Sequence, residues 1–326
     1  MTAITRRGAM LGTPLLLLGV RGRRAAAQDY PTRPVRVIIG FTAGGATDIM
    51  ARLLCTRLTE RLGGAPFVVE NRPGAGTLLA AETVARAAPD GYTLMYASSS
   101  TVITPLINRG SGLDLPRDFA AVAMAQASPM ILVANNDFPA RTIPEIVAMA
   151  RAQPGRITIS HPGIGGTNHL ALAVFAKREG VEFTLVPFSG NQPSLNALMR
   201  GDVNLAHDSL FATRPLLEAG RIRAVAVTGP RRSPILPDVP AFAESLPGYE
   251  AIFWSGFIAP RAAPTAVLDR INRKVDAILK LPEVVERLHG FGAEPVGGSR
   301  EAFQRVIEED WKRWGEVVRE TGVRGE

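Results

Sequence analysis

The stretch GFTAGGATDIMARLL, residues 40–54, follows the apolar run VRVII. An apolar run, a glycine pair and a helical pattern describe a strand, a tight loop and a helix whose first turn faces that loop. Such a helix start carries unpaired N–H groups and the positive end of the helix dipole, so it favours an anion. A nucleotide loop of the G-x-x-x-x-G-K-[ST] type would add a lysine, and a dinucleotide loop would read G-x-G-x-x-G. Neither pattern is present, and no lysine lies between Arg33 and Leu62. A triphosphate ligand is therefore disfavoured.

The same order returns in ITISHPGIGGTNHLALAVF, residues 157–175. Aligned on the glycine pairs, Gly44-Gly45-Ala46-Thr47-Asp48 lies over Gly165-Gly166-Thr167-Asn168-His169. One such loop reads most simply as a glycine turn capping a helix. Two of them, in two halves of a chain, can hold one carboxylate between them through backbone donors. Asp48 falls in the first helical turn, where an acid suits the dipole. It reads as a cap, with a ligand contact as the alternative. His169 is open between a ligand donor and a structural contact. Ser98 and Ser99, in ASSST, follow a strand end, where α/β proteins place ligands, and capping is the equal alternative. Asp208, in AHDSL, can meet an amine or hydroxyl, although a lone loop Asp is more often a turn residue.

Around these loops the chain alternates strand and helix. VRVIIGF (35–41), FVVE (67–70) and TLMYAS (93–98) read as strands, with helices over 48–62 and 77–88 between them. The rhythm restarts with strands at 130–135, 156–160, 184–188 and 222–229, and with helices at 144–152, 167–178 and 193–200. Two further helices, 265–279 and 300–320, close the chain, the last with an apolar face expected to pack on the first unit. The fold class is α/β, with a largely parallel sheet flanked by helices in each of two lobes. The simplest path crosses near 128–129 and returns near 248–256. This gives lobe 1 as residues 28–129 plus 250–326, and lobe 2 as residues 130–249, around a hinged cleft.

The first 27 residues read as an export signal, with Arg6-Arg7, a short apolar core and Ala25-Ala26-Ala27 as cleavage site. Its apolar stretch falls short of the roughly 20 residues of a spanning helix. The paired arginines leave the ordinary and twin-arginine routes both open. The full chain has 37 Lys+Arg against 30 Asp+Glu, net +7. The leader holds five arginines and no acid, so its removal takes +7 to +2. The basic excess is thus no argument for nucleic acid. Cys55 is the single cysteine, so neither an internal disulfide nor a Cys-based zinc site is available. The four histidines lack metal-ligand spacing, and G-x-S-x-G and H-E-x-x-H are absent. No metal, cofactor or catalytic residue is assigned. Ser160, His169 and Asp208 could be written as a triad, yet nothing in the sequence requires it.

These motifs, with VVENRPGAGT, APDGYTL, PFSGNQPSLNALMRGDVN, GRIRAVAVTGPRRSPILPDVPAFAE and FWSGFIAPRAAP, resemble the tripartite tricarboxylate transporter substrate-binding receptors, or Bug proteins. The likeness runs from about Tyr30 to the C-terminus and keeps order and spacing. It implies a periplasmic solute-binding protein of the two-lobe Venus flytrap, type II-like fold, monomeric and without cofactor. It also implies a small carboxylate ligand and, as partners, a small and a large membrane subunit, or a sensor in orphan members. A hydrolase in the same cleft is the alternative of a different class. The family's ligand loops match Phe41, Thr42, Ala43, Gly44 and Gly45, and Gly163, Gly165, Gly166, Thr167 and His169. Phe188 stands where the family has tyrosine. Ser189 stands where it has lysine, which makes a highly charged ligand such as citrate less secure. Ala43 replaces a proline, and Thr77 a glycine.

Overall fold

A computed structural model describes residues 29–325 of the chain. The leader expected over residues 1–27 lies outside the described residues. Among those described, no helix is long and apolar enough to cross a membrane.

Among the described residues, ten strands form two sheets that share one strand. β1 (Val35–Ile39), β2 (Phe67–Asn71) and β3 (Thr93–Ser98) pair in parallel in the first sheet. β4 (Phe119–Ala134) is the shared strand. β5 (Thr158–His161), β6 (Thr184–Pro187) and β7 (Leu205–Ser209) pair in parallel in the second sheet. β7 and β8 (Arg223–Val227) pair antiparallel with the C-terminal end of β4. β9 (Ile252–Pro260) pairs antiparallel with both β3 and the first part of β4, and the short β10 (Glu294–Pro295) also joins β4.

β4 changes partners at one point. Pro129 is the last residue opposite β9, and Met130 the first opposite β7. Proline has no N–H to give to a ladder, so the seam between partner sets is where it costs least. On β9, Gly256 admits the close approach of β4. A Cβ there would lie 2.4 Å from the Ala123 carbonyl oxygen and 2.9 Å from Met124 Cα.

Helices cover both sheets. Ala46–Leu62 ends at Gly63, whose φ of 65° is the left-handed stop expected of a glycine pair. The helix Arg300–Thr321 differs from expectation in its reach. It packs on β4 and the helix Ser99–Ile107 of the first sheet, and also on Thr167–Glu179 of the second. Buried Trp314 and Val318 share a cluster with Ile103, Ile107, Met130, Leu170 and Ala171. Buried Trp254 donates its indole N–H to Asp310 on the same helix at 2.7 Å.

Because Trp314 joins apolar surface from both sheets, Trp314→Ala is expected to cost about 3–5 kcal/mol. Urea unfolding followed by fluorescence of the remaining tryptophans checks this. A loss under about 1 kcal/mol would contradict the strapping role.

Candidate ligand-binding site

The two glycine loops meet at one cavity of about 710 Å³ between the sheets. Phe41, Thr42 and Gly45 line it from the loop after β1, and Gly163, Gly166 and Thr167 from the loop after β5. None of its lining side chains is ionisable. A larger cavity of about 940 Å³ lies beyond Ser128 and Pro129, with Arg231, Arg232, Glu309, Asp310 and Arg313 in its wall. Arg313 there is paired with Asp310, and Arg232 with Glu244. That charged cleft has no glycine-capped helix start, whereas the neutral cavity has two.

Gly45 and Gly166 are the N-caps of Ala46–Leu62 and Thr167–Glu179, at φ −76°, ψ 165° and φ −77°, ψ 167°. Neither helix has a side-chain cap bond at that residue. The first-turn N–H groups have no intrahelical acceptor and are what an anion would meet. The preceding glycines differ from expectation, because their N–H groups are already spent. Gly44 N–H donates to Asp48 Oδ2 at 3.0 Å, and Gly165 N–H to His169 Nδ1 at 3.2 Å.

Asp48 therefore sits behind its loop rather than on the cavity wall. Its carboxylate also accepts from Arg52 Nε and, at 2.8 Å, from Asn71 Nδ2, which in turn holds the Phe41 carbonyl at 3.0 Å. Burial raises its pKa, but the bonds from Arg52, Gly44 N–H and Asn71 outweigh it and hold the carboxyl below its ordinary value. His169 also stands behind its loop, stacked on His161 with ring centres 4.6 Å apart. His161 Nδ1–H donates to the Gly163 carbonyl at 2.8 Å.

Ser99 and Thr167 join the two sides directly, their hydroxyl oxygens 2.8 Å apart and both buried. Ser98 caps the helix Ser99–Ile107, its N–H bonded to Thr101 Oγ1 at 3.2 Å, and it does not line the cavity. Ala43 is in the first loop but off the wall. Phe188 packs into the core of the second sheet and does not reach the cavity.

Asp208 is not a loop residue. It lies in β7 opposite Ile131, fully buried, because the strand runs two residues past the point where polar residues begin. Its Oδ1 accepts from Asn191 Nδ2 and from the Ser209 N–H, while Oδ2 has no partner. Asn191 and Ser209 stand between it and the cavity wall that they form. Ser160, His169 and Asp208 form no relay. Ser160 Oγ accepts from Ser194 at 2.8 Å, and the other two hold the partners just described.

The sequence reading missed Gln126, Ser128, Asn168, Asn191, Phe211, Phe253 and Phe291, all on the wall. Asn191 follows the end of β6, so the strand-end rule could have found it. Gln126, Ser128 and Phe253 lie on β4 and β9 and become wall residues only through that pairing. Thr77 lines the cavity at φ 89°, a costly angle for a β-branched residue. A Cβ at Gly40 would lie 2.6 Å from its Cβ.

Buried histidines and carboxyls tie stability to pH. Burial pushes His161 and His207 down to about 4, helped at His161 by the neighbouring His169. Burial pushes Asp208 up to about 6. In the unfolded chain the imidazoles take protons near pH 6.5. Their neutral-state stability is thus complete above about 6.5 and is lost as pH falls towards 4. Asp208 acts oppositely, its contribution complete below about 3.9 and lost as pH rises through 6. With three histidines held down by burial against Asp208 and Asp310 held up, the urea midpoint should fall between pH 7 and pH 4.5. His207→Gln should lessen that fall and Asp208→Asn steepen it. A midpoint that rises on acidification would contradict the assignment.

Comparison with known proteins places this fold among its relatives. Residues 50–323 match the tripartite tricarboxylate transporter family receptor, TctC. The chain is similar to the solved structure of R. palustris Rpa4515 with adipate, at 37% identity, TM-score 0.81, and coverage of 90% of this chain and 99% of that one. It is similar to the periplasmic binding protein BugD, at 32% identity, TM-score 0.78, and coverage of 91% and 100%. It is also similar to MatC (Rpa3494) from Rhodopseudomonas palustris with bound malate, at 32% identity, TM-score 0.78, and coverage of 89% and 100%. With two α/β sheets around a cavity fed by paired helix starts, the chain belongs to the tripartite tricarboxylate transporter receptor family of periplasmic solute-binding proteins.

Proposed function

We propose that this receptor captures a single small carboxylate between the helix starts at Gly45 and Gly166 and delivers it to the small and large membrane subunits of a tripartite transporter. The observation that carries the reading is the pair of matched N-caps facing one cavity without an ionisable side chain. Each helix dipole contributes about 0.3–1 kcal/mol, up to about 2 when partly buried. Each hydrogen bond to the charged oxygens contributes about 1.5–3 kcal/mol. A few such bonds reach the roughly −8 kcal/mol of micromolar binding without an arginine. The chain then acts as an exported monomer, its leader cut near Ala27, and makes or breaks no bond.

Lobe 1 is residues 28–129 with 250–326, and lobe 2 is residues 130–249, bending where β4 leaves its pairing with β9 at Pro129. Contacts between the lobes support closure. Phe211, on the second sheet's helix Leu210–Glu218, meets Phe291 edge-on at 4.7 Å. The wall also favours an acid with an apolar body, since Phe41, Phe211, Phe253 and Phe291 line it and no lysine or arginine waits for a second charge. Adipate, bound by one relative, fits this better than malate, bound by another.

Calorimetry with butanoate, hexanoate, adipate, malate and citrate tests the reading. Affinity should rise about fourfold per added methylene, from about 0.8 kcal/mol each, with citrate weakest. Gly44→Val should abolish binding in a folded protein. Its φ of 86° is closed to valine, while its Cβ would meet open space. Citrate or malate as the tightest ligand, or retained affinity in Gly44→Val, would overturn the proposal.

A further inference from the structure

The two loops share more than their glycines. In each, a glycine of positive φ (Gly44 at 86°, Gly165 at 72°) precedes the capping glycine. In each, its N–H is taken by the side chain four residues on, Asp48 in one loop and His169 in the other. The acceptors are chemically unlike. A carboxylate offers several lone pairs, and Asp48 uses them for Gly44, Arg52 and Asn71 together. A neutral imidazole offers one, and His169 Nδ1 gives it to Gly165.

We infer that Asp48 and His169 are positioning residues for the carboxylate, each clipping its loop so that the capping glycine's N–H faces the cavity, and that the second clip exists only while the His169 ring is neutral. This rests on the carboxylate reading above. A protonated ring carries N–H at both nitrogens and would turn a donor towards the Gly165 N–H. The clip then opens, and half of the anion cradle loses its shape.

The surroundings of His169 keep the ring neutral. Burial holds its pKa below the ordinary histidine value. His161 stacks on it, with ring planes 6° apart, and would repel a second positive charge. His207 lies behind on β7, its Nδ1–H donating to the Asn168 carbonyl at 3.1 Å, with buried Asp208 next in the strand. The helix Ser99–Ile107, packed on the same face, carries no titratable side chain. The C-terminal helix meets Thr167–Glu179 through the apolar Leu170 and Ala171 and through the exposed Lys177–Glu320 pair, about two turns from His169. Among the described residues, no carboxylate or guanidinium bonds to His169.

Two readouts test this, one of them without ligand. In the ligand-free protein, the Gly165 amide resonance should shift between pH 7.5 and 5, and should not do so in His169→Gln, whose amide oxygen accepts but does not titrate. With adipate as probe at pH 7.5, His169→Gln should stay within about threefold of the parent. His169→Leu should lose about fivefold and Asp48→Ala more than tenfold, the ordinary weights of a neutral and a charged hydrogen bond. As pH falls from 7.5, the parent's affinity should fall relative to His169→Gln, a ratio in which ionisation of adipate cancels. A constant ratio, a parent that binds more tightly in acid, or an unmoved Gly165 resonance would overturn the inference. Absence of adipate binding in all variants would count against the carboxylate reading, and the Gly165 titration would still decide the clip.

Discussion

The antiparallel ladder between β4 and β9 is the constraint on which the rest of the molecule depends. It runs from Phe119 opposite Pro260 to Pro129 opposite Ile252 and carries the chain out of one sheet and back again. Beyond Pro129 the same strand becomes the spine of the second sheet. A strand shared by two sheets fixes where their loop ends meet. The helix starts after β1 and β5 therefore face one cavity, with Gln126, Ser128 and Phe253 of the ladder in its wall. The C-terminal helix packs across both sheets beside that ladder.

Within that frame the loops divide their labour. Positive-φ glycines make the turn, and their N–H groups are spent on holding it. The capping glycines and the first helical residues keep their donors for the cavity. Neutrality serves both ends of this arrangement. The lining is neutral because none of its side chains is ionisable, so oriented backbone dipoles are not screened by side-chain charge, and burial keeps the histidines behind the second loop uncharged.

The twin loops were legible because glycine pairs and the helical pattern after them are local signals. The parallel strands were legible for the same reason, as short apolar runs bounded by turns. The ladder was not. Its first half, FAAVAMAQASP, is rich in alanine and buried on both faces, so it shows neither β-branched enrichment nor alternation. Asp208 was misplaced in a loop because a charged residue inside a strand contradicts its own propensity, and only tertiary contacts with Asn191 and Ser209 explain it there. Asp48 and His169 were marked by their position in the first helical turn. What they bond to depended on the backbone angle of a glycine four residues earlier, which a sequence does not display.

The central claim is that one carboxylate sits between both helix starts. Amide chemical shifts of ¹⁵N-labelled protein titrated with adipate test it most directly. The amides of Gly45 and Ala46 should shift together with those of Gly166 and Thr167, all following a single binding curve. Shifts confined to one loop, or to neither while adipate still binds, would contradict the account.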